Sequence, residues 1–445
     1  MKPKTVISCT VLHTVLLFTQ FAESAHSIKG LHTSFYNDPA SEVTVSWRTA
    51  PGVNGTRLEY GVTSEHGTTQ NMIETVASGD SEDPGINNHV RLTNLRPDTR
   101  YYYRCGSPTI GWSSGSFRTA PAPDHNAQFT WAVVGDIQGR DSSAAMRELA
   151  DWLATRDVAF WIPVGDLVEG DGLDQSYWDA LFANGNPLFR NTVIMPVIGN
   201  HDQPTRHGSS PRLYSDQFRV PYCGTNTYGY TFKNGTLSDY SNRWYSFEYA
   251  NANFVVLDYY PFNEVDPDGN NYNDVMKTVQ RGFMENNLKN STAIWQFVFW
   301  HPPVFSTGGH GGDTLQWITD NWVPVYAGRA HVVFTGHTHM YEITHPIKEH
   351  NFTIPNEPVI TPVIINSNRN TTVSTSDGTI YYNTAGINTT LGPVRPSQKW
   401  TLDRVEKTDT NRYLVTLVTV SSNRTTIATW NYHTNTLRHK YVINR

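Results

Sequence analysis

The stretch FTGHTHMYE, residues 334–342, sets two histidines one residue apart, His337 and His339, directly after a short apolar run and a glycine. Such a pair can hold a metal ion, move a proton or simply pack, and in a chain with seventeen histidines the pair alone decides nothing. Four other apolar runs end in the same abrupt way. WAVVGDIQG delivers Asp136, FWIPVGDLVEG delivers Asp166, VIMPVIGNHD delivers Asn200 and His201, and FVFWHPP delivers His301. Glycine stands just before the polar residue in four of the five, which lets the backbone turn tightly and come close to an ion. A lone aspartate after a strand is usually a cap and a lone histidine usually packs, but five such ends in one chain make a ligand set. Oxygen donors from Asp136, Asp166 and Asn200 with imidazoles from His301, His337 and His339 suit Zn, Mn or Fe better than Ca. Six donors exceed what one tetrahedral zinc requires. A dinuclear centre with one bridging carboxylate uses them all.

Donors at the carboxyl ends of strands need a sheet to present them. Beyond residue 127 the chain alternates β-branched apolar runs with helical stretches, the pattern of a sheet buried by helices and hence of an α/β fold. SSAAMRELADWLATRD, residues 142–157, predicts a helix, with Met146, Leu149, Trp152 and Leu153 at helical spacing and a serine pair to cap it. It bridges two predicted strands, FTWAVV and VAFWIPV. The last hundred residues return to strand alternation, in RYLVTLVTV and TTIATWNY around a turn at Ser422 and Asn423. Asp258, at the end of NFVVLDYY, reads as a residue that orients a loop or a ligand. Before residue 121 the grammar differs. Short alternating strands such as EVTVSWRT and TRLEYGVT predict a β-sandwich over 26–121, and TAPAPDH marks its exit into a second unit spanning 127–445.

The phrase LRPDTRYYYRCG resembles the fibronectin type III pattern, in which a leucine, a proline and alternating tyrosines mark the turn into a late strand. The ordered set GDIQG, GDLVEG, GNHD, FWHPP and GHTH resembles the metallophosphoesterase superfamily, and the sandwich before it makes the purple acid phosphatases the nearest relatives. The resemblance implies an α/β/β/α sandwich of two mixed sheets after the β-sandwich. It also implies that Asp136, Asp166 and His339 hold a first metal, that Asp166, Asn200, His301 and His337 hold a second, and that Asp166 bridges them. His201 then sits beside the leaving group as acid or clamp. His310, in STGGHGG, either helps bind phosphate or is a plain loop histidine. The activity implied is hydrolysis of phosphate monoesters, with a hydroxide held by two ions of Fe and/or Zn, or Mn, attacking directly and no phosphoenzyme forming.

Two positions depart from that pattern. Purple acid phosphatases carry a tyrosine three residues after the bridging aspartate, whose phenolate binds ferric iron and gives the colour; here the residue is Glu169. Glu169 either donates a carboxylate oxygen to the metal or turns away from it. The wider superfamily often has a histidine two residues after the first aspartate, and here that residue is Gln138. Loss of the phenolate favours Zn, Mn or ferrous iron at the altered position.

A net charge of -6 and the absence of a long basic run leave no footprint for nucleic acid. Residues 1–24 read as a signal peptide, with Lys2 and Lys4, an apolar stretch and small residues near Ala22 and Ser24. No later segment is apolar enough for a bilayer span, so no stable membrane anchor is expected. N-x-[ST] tripeptides at Asn54, Asn234, Asn290, Asn351, Asn370, Asn388 and Asn423 point to N-linked glycans and a secreted or lysosomal/vacuolar destination. Removal of the signal leaves Cys105 and Cys223, either one disulfide or two buried thiols. The expected partner is a small-molecule phosphate ester. A phosphodiesterase or nucleotide hydrolase on the same dimetal core is the second enzyme reading, and a non-catalytic surface glycoprotein is the third.

Overall fold

A computed structural model of the chain describes residues 28–53, 55–70, 74–78, 80–138, 142–203, 212–231, 241–259, 272–308, 315–354, 357–362, 370–387, 401–404 and 413–445. His310 and residues 1–24 lie outside them. The first part of the chain forms two four-stranded antiparallel sheets. One orders Ile28–Phe35, Val43–Thr49, Ile86–Leu92 and Glu74–Ala77; the other orders Thr68–Gln70, Arg57–Gly61, Arg100–Ser107 and Gly111–Arg118. Val43, Val45, Trp47, Leu58, Tyr103 and Phe117 fill the core of this sandwich. Tyr101 Oη accepts a hydrogen bond from Arg96 N at 2.9 Å, tying the turn at LRPDTRYYY back to the upstream backbone.

Two seven-stranded mixed sheets follow. In one, Val193–Ile194, Phe160–Pro163 and Phe129–Val134 run parallel, and the strands Leu414–Val420, Arg424–Asn431 and Thr436–Asn444 continue the sheet as an antiparallel meander. In the other, Ala252–Val256, Trp295–Phe299, Val332–Thr335 and Ile380–Asn383 are parallel, with antiparallel strands at the edges. The strand sequences are apolar on both faces because both faces are covered. Trp131 and Val133 point into the layer between the sheets, where Trp131 meets Phe254, Phe297, Phe299 and Phe334 edge-on at ring separations of 5.3 to 5.6 Å. Their neighbours Ala132 and Val134 point the other way, onto Met146 and Leu149 of the helix Ser142–Ala154. Likewise Val298 and Trp300 leave the second sheet to pack on Met276 and Trp322. The architecture is a β-sandwich followed by an α/β/β/α sandwich.

The two parts are closely joined. Phe35 of the first strand packs among Phe160, Phe247 and Tyr249 of the second unit. Ser34 Oγ donates to Arg219 O at 2.5 Å, and Tyr103 Oη donates to Arg190 O at 2.9 Å. Cys105 and Cys223 are buried free thiols rather than a disulfide, and burial pushes the Cys223 thiol up to about 12. Among the described residues no helix is long and apolar enough to cross a membrane.

Candidate metal centre

The donor residues lie just beyond the carboxyl ends of neighbouring parallel strands: Asp136 and Asp166 in the first sheet, His301, His337 and His339 in the second. Gly135 bridges to Gly386 at this edge, so the ends of the two sheets are drawn together. Asp136, Asp166, His337 and His339 all hold positive φ, at 48, 53, 71 and 56°. Left-handed backbone is uncommon outside glycine, and four instances at one site show a geometry imposed by surrounding structure. The glycines before the donors serve close approach. A Cβ on Gly199 would strike the backbone and carboxylate of Asp166, and one on Gly336 would strike the carboxylate of Asp136.

Two groups of ligand atoms result, each with all atoms within 4.8 Å of one another: Asp136, Asp166 and His339, and Asp166, His301 and His337. Asp166 belongs to both. Its Oδ2 lies 3.1 Å from His301 Nε2, and its Oδ1 accepts from His201 N at 2.8 Å. Asp136 Oδ1 stands 3.6 Å from His339 Nε2 and 3.8 Å from His301 Nε2, while His337 N donates to both of its oxygens at 2.9 Å. Asn200 Oδ1 lies 3.0 Å from His337 Nδ1, so the asparagine joins the second group. His301 Nδ1 donates to Val164 O at 2.7 Å, which turns Nε2 towards the carboxylates, where its lone pair is available to an ion once its proton leaves.

The electrostatics call for cations. Burial pushes the Asp136 carboxyl up to about 6, against the pull of His301 and His339. Burial acts the same way on Asp166, but His301, by charge and hydrogen bond, outweighs it and holds that carboxyl well below the usual range. At His301 burial is outweighed by Asp166 and then Asp136, and the imidazole is raised to about 9. Two buried carboxylates share one imidazolium without metal, and a mixed N and O set of this density fits two divalent ions.

Glu169, open at the sequence level between metal ligand and bystander, is placed in neither group. Its backbone is extended, with φ -90° and ψ 177°, at the entrance to the turn Gly170–Gly172, and its Oε2 lies 3.2 Å from His201 Nδ1. His201, with 37% of its side chain exposed, stands at the rim. Gln138 takes the place beside the first group: its Nε2 is 3.3 Å from Asp166 Oδ2 and 3.4 Å from His339 Nε2, and its Oε1 is buried with no hydrogen-bond partner among the described residues.

Supporting residues were less visible in the sequence. Asp202 accepts from Leu167 N, Val168 N and Gly199 N at 2.7, 3.2 and 2.8 Å, and so ties the Asp166 and Asn200 loops together. An acid directly after GNH was its only signal. Asp258 grips the buried Arg243 at 2.6 Å, and Arg243 donates to Gln203 Oε1 at 2.9 Å, steadying the same loop as the sequence led one to expect. The segment leading to His310 is anchored where Thr307 donates through N and Oγ1 to Glu342.

Known proteins share this build. Residues 28–119 match the family model "Purple acid Phosphatase, N-terminal domain", and residues 129–341 match "Calcineurin-like phosphoesterase". Over these two stretches the chain is purple acid phosphatase-like, with a calcineurin-like phosphoesterase domain after the N-terminal one. Purple acid phosphatase 23 of Arabidopsis thaliana is 29% identical over 61% of this chain and 60% of its own. Phosphoenolpyruvate phosphatase of Allium cepa is 25% identical over 68% of this chain and 60% of its own. The chain thus spans about three fifths of the length of these curated relatives. The purple acid phosphatase PPD1 from yellow lupin seeds has the same fold, with a TM-score of 0.72 over 94% of this chain and 75% of that one at 16% identity.

Proposed function

We propose that this purple acid phosphatase-like chain is a secreted or lysosomal hydrolase of phosphate monoesters that works with two metal ions. The observation that carries the reading is the pair of donor groups sharing one buried carboxylate, Asp166, with His201 poised beside them. Asp136, Asp166 and His339 hold one ion, and Asp166, Asn200, His301 and His337 the other. Bound there, Zn, Mn or Fe ions supply a water acidic enough to attack at acidic to neutral pH and positive charge for the phosphate oxygens.

The chain's own groups do the rest. Gln138 completes the first group: a half-turn of its amide, which changes no shape, brings the partnerless Oε1 to where Nε2 now stands. His201 donates to the departing oxygen, and Glu169 holds the imidazole in place through Nδ1. His310 assists phosphate binding. The sandwich over 26–121 forms one domain and 127–445 the catalytic one. Asn290 and Asn423, both exposed, carry glycans in keeping with a secretory route.

The test is metal analysis of the purified glycoprotein beside turnover of a monoester and a diester, before and after chelation. Monoester turnover should vanish with the metals and return on adding Zn, Mn or Fe. Activity that survives their removal overturns the proposal, and faster diester turnover replaces it with the diesterase reading.

A further inference from the structure

A cavity of about 690 Å³ opens at the seam between the β-sandwich and the helices Gln175–Asn184 and Asn186–Asn191, and no residue of the metal centre lines it. The sandwich contributes Lys29, Trp112 and Ser113; the helices contribute Asp179, Asn186 and Arg190. Asp179 is already engaged, 2.5 Å from Lys29 Nζ and 3.5 Å from Arg48 Nη1. Arg190 is not. Its Nε is buried without an acceptor, and among the described residues its guanidinium makes no hydrogen bond or ion pair. The backbone holds it firmly there: Arg190 O accepts from Tyr103 Oη, and the next side chain, Asn191 Oδ1, accepts from Ser116 N at 3.1 Å.

Buried donors in folded proteins nearly always have acceptors, and a guanidinium offers five in a rigid fork matched to carboxylate and phosphate oxygens. The guanidinium borders the cavity with no acceptor among the described residues, so an oxyanion entering the seam finds donors there. Ser113 and Asn186 add polar groups, and Trp112, with Arg57 and Arg104 over its ring at 5.0 and 4.3 Å, adds an aromatic wall. Concave, largely apolar seams between domains with a few convergent polar groups are where small ligands bind.

We propose that this seam is a second binding site for a small oxyanion with a flat body, its carboxylate or phosphate forked onto Arg190 and its body against Trp112. Such a ligand touches both domains and reinforces their docking. Calorimetric titration of the metal-loaded full chain with benzoate, and separately with inorganic phosphate, tests it. Benzoate should bind saturably with a Kd at or below about 1 mM, and both Arg190→Gln and Trp112→Ala should weaken it by about tenfold or more. A phosphate-bearing ligand is indicated if phosphate fills two sites per chain in the wild type and one in Arg190→Gln; a carboxylate ligand is indicated if only benzoate responds. Because Arg190 is remote from the metals, monoester turnover of Arg190→Gln should match the wild type, which separates this site from the catalytic reading and confirms the fold. Equal benzoate and phosphate binding in wild type and both variants, or no saturable binding of either anion, overturns the proposal.

Discussion

The two halves of the metal centre share Asp166 but are built differently. Around the second group the donors are fixed from behind: His301 is fully buried, its tautomer set by Val164 O, and Asn200 stands against His337. Around the first, His339 is 24% exposed, Gln138 lies where the superfamily often has a histidine, and Glu169 lies where the purple acid phosphatases have a tyrosine. The closed half admits little change, because each donor also belongs to the packing of a strand end. The open half is open to exchange rather than to more solvent, since each group has two buried donors and one half-buried histidine, and there this chain has exchanged its chemistry.

Asp166→Asn breaks both halves at once. The amide offers neither the charge nor two equivalent oxygens, so kcat should fall about 10³-fold or more and metal content should drop, by assay and elemental analysis of one sample. Full activity with two ions retained would refute the sharing. His201→Ala touches neither half: metals should stay, while kcat falls about 10²-fold, most for esters with poor leaving groups. Metal loss in that variant would make His201 a ligand.

The halves also differ in how protons oppose the metals. Without metal, His301 titrates near 9, raised by Asp166 and Asp136 against burial, so below that pH an ion entering the closed half displaces a proton. Asp136, raised to about 6 chiefly by burial, adds a second competing proton only below that value. Metal affinity should therefore fall about tenfold for each unit that pH drops from 9 towards 6, and more steeply below 6. Titrations in buffers of different ionisation enthalpy should show about one proton released per chain near pH 7.5. A pH-independent affinity would contradict this.

The donors of both halves were the legible part. A strand run ending in glycine and then a donor is a local signal, and the structure brings Asp136, Asp166, Asn200, His301, His337 and His339 close to one another. What stayed hidden depends on direction rather than residue type. GDLVEG does not say which way Glu169 points, since that follows from the extended backbone before a short turn. Nor does GDIQG reveal that Gln138 lies against His339, a residue 201 positions away. In the sandwich, EVTVSWRT reads as a strand with one polar face, yet Thr44, Ser46 and Arg48 are as buried as Val43 and Val45. Arg48 reaches Asp179 on a helix of the second unit, so part of that polar face is covered by a contact a single strand cannot announce.

Which residues complete the open half can be read by counting metal ions in two variants. Glu169→Ala and Gln138→Ala would be loaded, dialysed together with the wild type and measured for ions per chain. If Glu169 serves His201 and Gln138 serves the metal, Glu169→Ala keeps two ions and loses only about tenfold in kcat, while Gln138→Ala weakens one ion. Loss of an ion from Glu169→Ala with full occupancy in Gln138→Ala would contradict the account and return Glu169 to the coordination sphere.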